Sequence, residues 1–103
     1  MYLIYFLTPQ THAEVVKNAM FAAGAGRIGN YSHCAWQTLG TGQFMPAKGS
    51  NAFIGEVNQL TTVPEYKIEL VCDDSKINDV VAALKQSHPY ETPAYQVIKL
   101  EDF

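Results

Sequence analysis

The sequence predicts an α+β fold of the ferredoxin-like kind, βαββαβ, with one four-stranded antiparallel sheet carrying two helices on one face. Three observations predict it. A β-forming apolar run opens the chain, two stretches with helical spacing follow in its first and last thirds, and strand-like stretches lie between and after them. A length of 103 residues leaves room for a single domain, residues 1–103, around one core.

The first element is Tyr2-Leu3-Ile4-Tyr5-Phe6-Leu7, rich in β-favouring types and closed by Pro9. It does not alternate, so both of its faces are expected to be buried. Thr11 followed by Glu14 has the spacing of a capping box. Val15, Val16, Ala19, Met20 and Ala23 then recur at helical intervals until Gly24 and Gly26, which accept left-handed dihedrals at little cost. Ser32 to Leu39 alternates as a strand, with Cys34 and Trp36 on one face and His33, Ala35, Gln37 and Leu39 on the other. Gly40 to Asn51 reads as a long loop or extended hairpin arm, in which Phe44, and beyond it Phe53 and Ile54, are apolar anchors. Pro64 opens a strand over Glu65–Cys72, with Tyr66, Ile68, Leu70 and Cys72 on one face. Asp73, Asp74 or Ser75 caps a second helix whose stripe is Ile77, Val80, Val81 and Leu84. Pro89 ends that helix, and Ala94–Leu100 supplies the last strand.

Two helices cover only one face of such a sheet. The first strand is apolar on both faces, and Tyr95 and Val97 add apolar groups to one side of the last. A second copy of the chain is the most economical cover, so the patterning predicts a homo-oligomer.

Composition excludes several classes. The net charge is −3 and the seven Lys and Arg residues are scattered, which argues against a nucleic-acid partner. The opening run lacks a basic start and a small-residue cleavage site and is too short to span a bilayer, so no export signal and no membrane association are expected. Cys34 and Cys72 belong to no CxxC pair, and reduced thiols in a cytoplasmic location are expected. Gly24-Ala25-Gly26-Arg27-Ile28-Gly29 spells a dinucleotide fingerprint, but it follows a helix instead of leading into one and cannot cradle a phosphate.

Two segments carry a family resemblance. Gly26-Arg27-Ile28-Gly29-Asn30-Tyr31-Ser32-His33-Cys34, then Gly40-Thr41-Gly42-Gln43-Phe44-Met45-Pro46, Gly49-Ser50-Asn51 and Ile54-Gly55-Glu56, resemble the domain inserted into some NIF-three proteins, known as dinuclear-metal hydrolases or GTP cyclohydrolase I type 2 homologues. His88-Pro89-Tyr90-Glu91-Thr92-Pro93 is similar to the His-Pro-Tyr-Glu-x-Pro segment of CutA. The resemblance runs from about residue 2 to residue 100. It implies a PII/CutA-like homotrimer, here free-standing. It does not bring the NIF-three metal site, whose ligands lie in the flanking parts of the larger proteins.

The candidate site residues are His33, His88 and Glu91, proposed to hold a divalent metal ion. His88 at a helix C-terminus is expected to have a raised pKa, because the helix dipole favours its charged form. Glu91 lies three residues on in a proline-bracketed turn, and hydrogen bonds that merely hold that turn are the competing explanation. His33 and Cys34, adjacent on a strand, face opposite ways and cannot share an ion, so His33 is expected to join the pair across a subunit boundary and Cys34 to be a small buried group. No catalytic residue set is evident, and an enzyme is the less favoured reading.

Three functions follow as expectations. The first is a regulatory protein that binds a small ligand or metal in clefts between subunits and reaches a small-molecule or protein partner through the 40–51 loop. The second is an accessory to a NIF-three-like metal-dependent hydrolase. The third is a structural trimerisation module.

Overall fold

The computed structural model describes residues 1–103. Its elements are β1 (Tyr2–Pro9), α1 (Ala13–Ala22), β2 (Trp36–Phe44), β3 (Thr61–Cys72), α2 (Ile77–Ser87) and β4 (Tyr95–Lys99), with a short 3-10 turn before each helix. The sheet runs β2-β3-β1-β4 and every pairing is antiparallel. This is the expected ferredoxin-like plan.

Register decides what is buried. Ile4 lies opposite Leu70 and Phe6 opposite Ile68, so the even-numbered residues of both central strands face the helices. They meet Ala13, Val16 and Met20 of α1 and Val80 and Leu84 of α2 in one core. Ile4, Phe6, Val16, Met20, Ile68, Val80 and Leu84 are fully buried. Burying each such side chain contributes roughly 1.5–3 kcal/mol, so the two central strands and two helices hold most of the stability. After α1, Gly24 and Gly26 take φ of 114° and 77° and turn the chain back onto the sheet, where the Gly26 amide donates to the Val71 carbonyl at 2.8 Å. A Cβ at Gly26 would stand 2.7 Å from the Phe21 ring, so both backbone angle and space demand glycine there.

Several expectations are corrected. The capping box does not form: Thr11 Oγ1 pairs with the His12 ring, and Glu14 instead pairs with Lys17 at 2.7 Å. Val15 points outward, while Val16 and Met20 supply the buried stripe. β2 begins at Trp36, not Ser32, because the Gly26 carbonyl takes the Cys34 amide at 2.8 Å and His33 has φ of 59°, which breaks any strand there. The strand continues through Gly40-Thr41-Gly42 to Phe44, since β3 pairs with it over Thr61–Glu69. The connecting arm is therefore residues 45–60. Pro64 lies inside β3, tolerated because β1 ends opposite Glu65 and leaves that stretch with a partner on one side only.

The uncovered face is real, though its composition differs from expectation. Tyr95 and Val97 stand opposite Phe6 and Ile4 and so share the helix side. Ile98, opposite Leu3, is the β4 residue that extends the other face. That face carries Leu3, Tyr5, Leu7, Val71, Ile98 and Trp36, with Trp36 67% and Ile98 45% exposed. Lys67 lies across the Tyr5 ring at 4.5 Å and shields part of it. The molecule is elongated, 46 × 24 × 24 Å, because the β2–β3 hairpin projects past the end of β1.

Candidate functional site

The projecting hairpin and the turn after α2 come together at one end of the sheet. α2 ends when His88 leaves helical geometry at ψ 137° ahead of Pro89, its amide still donating to the Leu84 carbonyl. The imidazole then turns inward. Its Nε2 donates to the Leu7 carbonyl at 2.7 Å, and its Nδ1 accepts the Tyr90 amide at 3.1 Å. Both ring nitrogens are thus committed in one neutral tautomer. Burial pushes the His88 pKa below its ordinary value, and the Leu7 carbonyl opposes this only in part. The raised pKa expected from the helix dipole is overturned, because the ring lies inside the fold instead of on an exposed helix end.

Tyr90 follows from the same turn. Its hydroxyl donates to Glu65 Oε2 at 2.8 Å, and Glu65 is 5% exposed. Burial and the adjoining Glu65 keep that hydroxyl protonated far above the ordinary tyrosine range. Glu65 fits only because β2 has glycine beside it: a Cβ on Gly42 would stand 1.6 Å from Glu65 Oε1. The glycine-rich stretch of β2, legible in the sequence only as loop-like, is thus a strand thinned to admit a buried acid.

Between the turn and the arm lies a cavity of about 150 Å3. Phe44, Pro46, Phe53, Ile54 and Tyr90 form its walls, with Glu91 at the rim. The Phe44 and Tyr90 ring centres are 5.9 Å apart and those of Phe53 and Tyr90 6.3 Å. Glu91 Oε2 accepts the Asn51 amide at 3.0 Å, tying the arm to the turn. Phe53 also packs edge-on against His12 at 5.4 Å. Phe44, Phe53 and Glu91 stand out in the sequence one by one; their convergence with Tyr90 depends on pairing between strands that no local pattern reveals.

The three residues expected to bind metal are separated in this respect. His88 and Glu91 share the turn, but each already holds a backbone group. His33 sits beyond the end of α1, exposed, its ring tilted 59° to that of Phe21 at 5.0 Å, with Nδ1 against Ser32 Oγ at 2.9 Å. Within one chain no three His, Cys, Asp or Glu side chains converge to hold a metal ion. Cys34 is half-buried and Cys72 buried, and both are free thiols. No helix is long and apolar enough to cross a membrane.

No family model matches the chain. Among curated proteins it is 46% identical over 100 residues to a GTP cyclohydrolase 1 type 2 homolog of Halalkalibacterium halodurans, an alignment covering 97% of this chain and 27% of that protein. The Bacillus subtilis protein of the same name is 44% identical over 93 residues, covering 90% of this chain and 25% of that one. The chain therefore spans about a quarter of the length of the curated relatives it matches. Among solved structures, a Bacillus cereus protein related to NIF3 superposes with a TM-score of 0.83 at 40% identity, over 98% of this chain and 26% of that one. The periplasmic divalent cation tolerance protein CutA of Archaeoglobus fulgidus superposes with a TM-score of 0.69 at 19% identity, over 100% of this chain and 87% of that one, a likeness of fold. The fold and the 40–46% identities agree: the chain is a CutA-fold domain of the kind that occupies about a quarter of the NIF3-related GTP cyclohydrolase 1 type 2 homologs.

Proposed function

We propose that the chain is a self-associating regulatory module of the PII/CutA kind, a homotrimer that binds a small ligand and reaches a partner through the 45–60 arm. One observation carries the reading: the sheet face opposite the helices presents Leu3, Tyr5, Leu7, Ile98 and Trp36, with Lys67 folded across Tyr5 and Glu69 and Gln96 as polar neighbours beside it. An apolar sheet face of this kind marks an interaction surface. Beside it, Ile28, Ala35 and Trp36 border a shallow apolar groove with Leu3 and Val71, so the surface continues around the β2 edge. The number three comes from the resemblance to PII/CutA-like trimers. Light scattering on the eluting chromatographic peak is expected to give three times the 11.4 kDa chain mass, and a monomer at micromolar concentration removes the reading.

A divalent metal is the narrower form of this reading. His33 of one copy would have to meet Glu91 of another, and His88 would have to release the Leu7 carbonyl to join them. Titrating chelator-treated protein with zinc tests it: heat lost in both His33→Ala and Glu91→Gln supports a shared site, and no heat ends it.

The 46% identity to a quarter of a GTP cyclohydrolase 1 type 2 homolog favours a second reading, an accessory domain to a NIF3-related metal-dependent hydrolase. A changed hydrolytic rate when this chain is added to such a catalytic chain supports it, and an unchanged rate argues against it.

A further inference from the structure

We propose that the cavity between the arm and the His88–Pro93 turn is a binding site for a small alkylated ammonium ion, held by the Phe44, Phe53 and Tyr90 rings and the Glu91 carboxylate. The proposal rests on the reading of the chain as a ligand-binding module, and names the class of ligand, but does not depend on its assembly.

Size comes first. An apolar cavity of about 150 Å3 accommodates a molecule the size of benzene, which is also the scale of a trimethylammonium head group.

Charge comes second. No lysine, arginine or histidine lines the cavity, and Glu91 is its one charged group. Glu91 Oε2 is used by the Asn51 amide, which fixes the side chain at the rim and leaves Oε1 for an outside charge. An anion would meet the Glu91 carboxylate with no cationic side chain to offset it, and is disfavoured.

The walls decide which cation. Tyr90 is inclined 57° to Phe44 and 48° to Phe53, so the rings that border the cavity are not parallel to Tyr90. Ring faces carry the negative part of the aromatic quadrupole and attract cations. Donation of the Tyr90 hydroxyl to Glu65 enriches its ring and locks the ring's position. A metal ion or a primary ammonium would have to exchange tightly held water for carbon walls with few oxygen donors. An alkylated ammonium is weakly hydrated, carries an apolar skin and loses little on entry. Chemistry of this type recognises choline-like and methylated amines.

Occupancy would also bear on the arm. The cavity wall is shared between the arm (Pro46, Ser50, Ala52, Phe53, Ile54) and the strand and turn (Phe44, Tyr90, Glu91, Thr92), so a cation bridging them pins the arm to the body of the protein.

The test uses the full chain and two probes of equal shape, choline and its neutral carbon isostere 3,3-dimethylbutan-1-ol, followed by calorimetry and by chemical shifts of the Tyr90 and Phe53 rings. Choline is expected to bind saturably, with ring shifts confined to the cavity, and the isostere at least about tenfold more weakly. Phe53→Ala and Glu91→Gln, both at exposed positions, are expected to weaken choline by about tenfold and about fivefold with melting temperatures near that of the parent. No saturation by millimolar choline, equal binding of the isostere, or choline binding undiminished in both variants overturns the proposal. The mass by light scattering is read separately, so failure of the assembly reading is distinguishable from failure of this one.

Discussion

The two halves of the sheet are stabilised in opposite ways. The β1–β3 half is sandwiched against α1 and α2, and its inward side chains, from Ile4 and Phe6 to Ile68 and Leu70, are nearly or fully buried. Over β2 the helices contribute little, with Lys17 of α1 reaching Gln37 at 2.8 Å. Eight of the nine β2 residues are not buried, and Trp36 and Leu39 are 67% and 56% exposed. The first half has its own core on the helix side; the second is a surface held in shape by backbone pairing to β3 and a few specific contacts. Stability and function are thereby separated in space, and substitutions in the two halves should report different things.

The largest difference expected is between two apolar truncations. Phe6→Ala opens a cavity in the core and should lower stability by about 3–5 kcal/mol in denaturant unfolding. Leu39→Ala, on the same side of the sheet but beyond the helices, should change it by no more than about 0.5 kcal/mol at dilutions where the chain is single. Similar costs at both positions would break the comparison.

Two glycines sharpen it within β2 itself. An added Cβ at Gly42 meets the Glu65 carboxyl, whereas at Gly40 nothing lies within 4 Å. Gly42→Ala should cost roughly 1–3 kcal/mol by forcing Glu65 away from Tyr90, while Gly40→Ala should be neutral or stabilise by up to about 1 kcal/mol through the unfolded chain. Equal effects in thermal melts would show that Glu65 yields freely and does not anchor the turn.

The smallest expected effect is a dependence on pH. His88 is neutral in the folded protein with its pKa lowered, chiefly by burial. The unfolded chain binds its proton near pH 6.5, before the folded chain does. Protons therefore favour unfolding, and stability is full above about pH 6.5 and falls as the pH drops from there toward the folded pKa. The melting temperature should decline over that window, and His88→Gln should remove that part of the decline. A slope unchanged in the variant would assign it to other groups.

Much of this architecture was legible in the sequence because periodicity speaks for it. Tyr66, Ile68, Leu70 and Cys72 alternate, Val80 and Leu84 stripe a helix, and Gly24 and Gly26 end one. From Gly40 onward the β2 hairpin has the pattern of a loop, because Gly-Thr-Gly has little strand propensity. Its extended form is imposed by β3 across the ladder. Thr11 and Glu14 had the spacing of a cap, but the chain enters α1 through a 3-10 turn and the hydroxyl found the His12 ring. The candidate site was legible in pieces. His88 and Glu91 stood out by type, and Phe44 and Phe53 as anchors in a polar stretch. Their partners Tyr90 and Glu65 are joined by a contact across 25 residues, and the inward turn of His88 depends on a carbonyl 81 residues away. Such long-range contacts leave no mark on spacing.

The most direct test of the central claim, that the uncovered face is covered by further copies of the chain, is the fluorescence of Trp36, the single tryptophan. It stands on that face, 67% exposed in the isolated chain. Emission and acrylamide quenching would be followed across a dilution series alongside mass by light scattering. Coverage of the face gives blue-shifted, quencher-protected emission at high concentration that moves to the red as the mass falls. Red, freely quenched emission at every concentration, with a constant monomer mass, would contradict it.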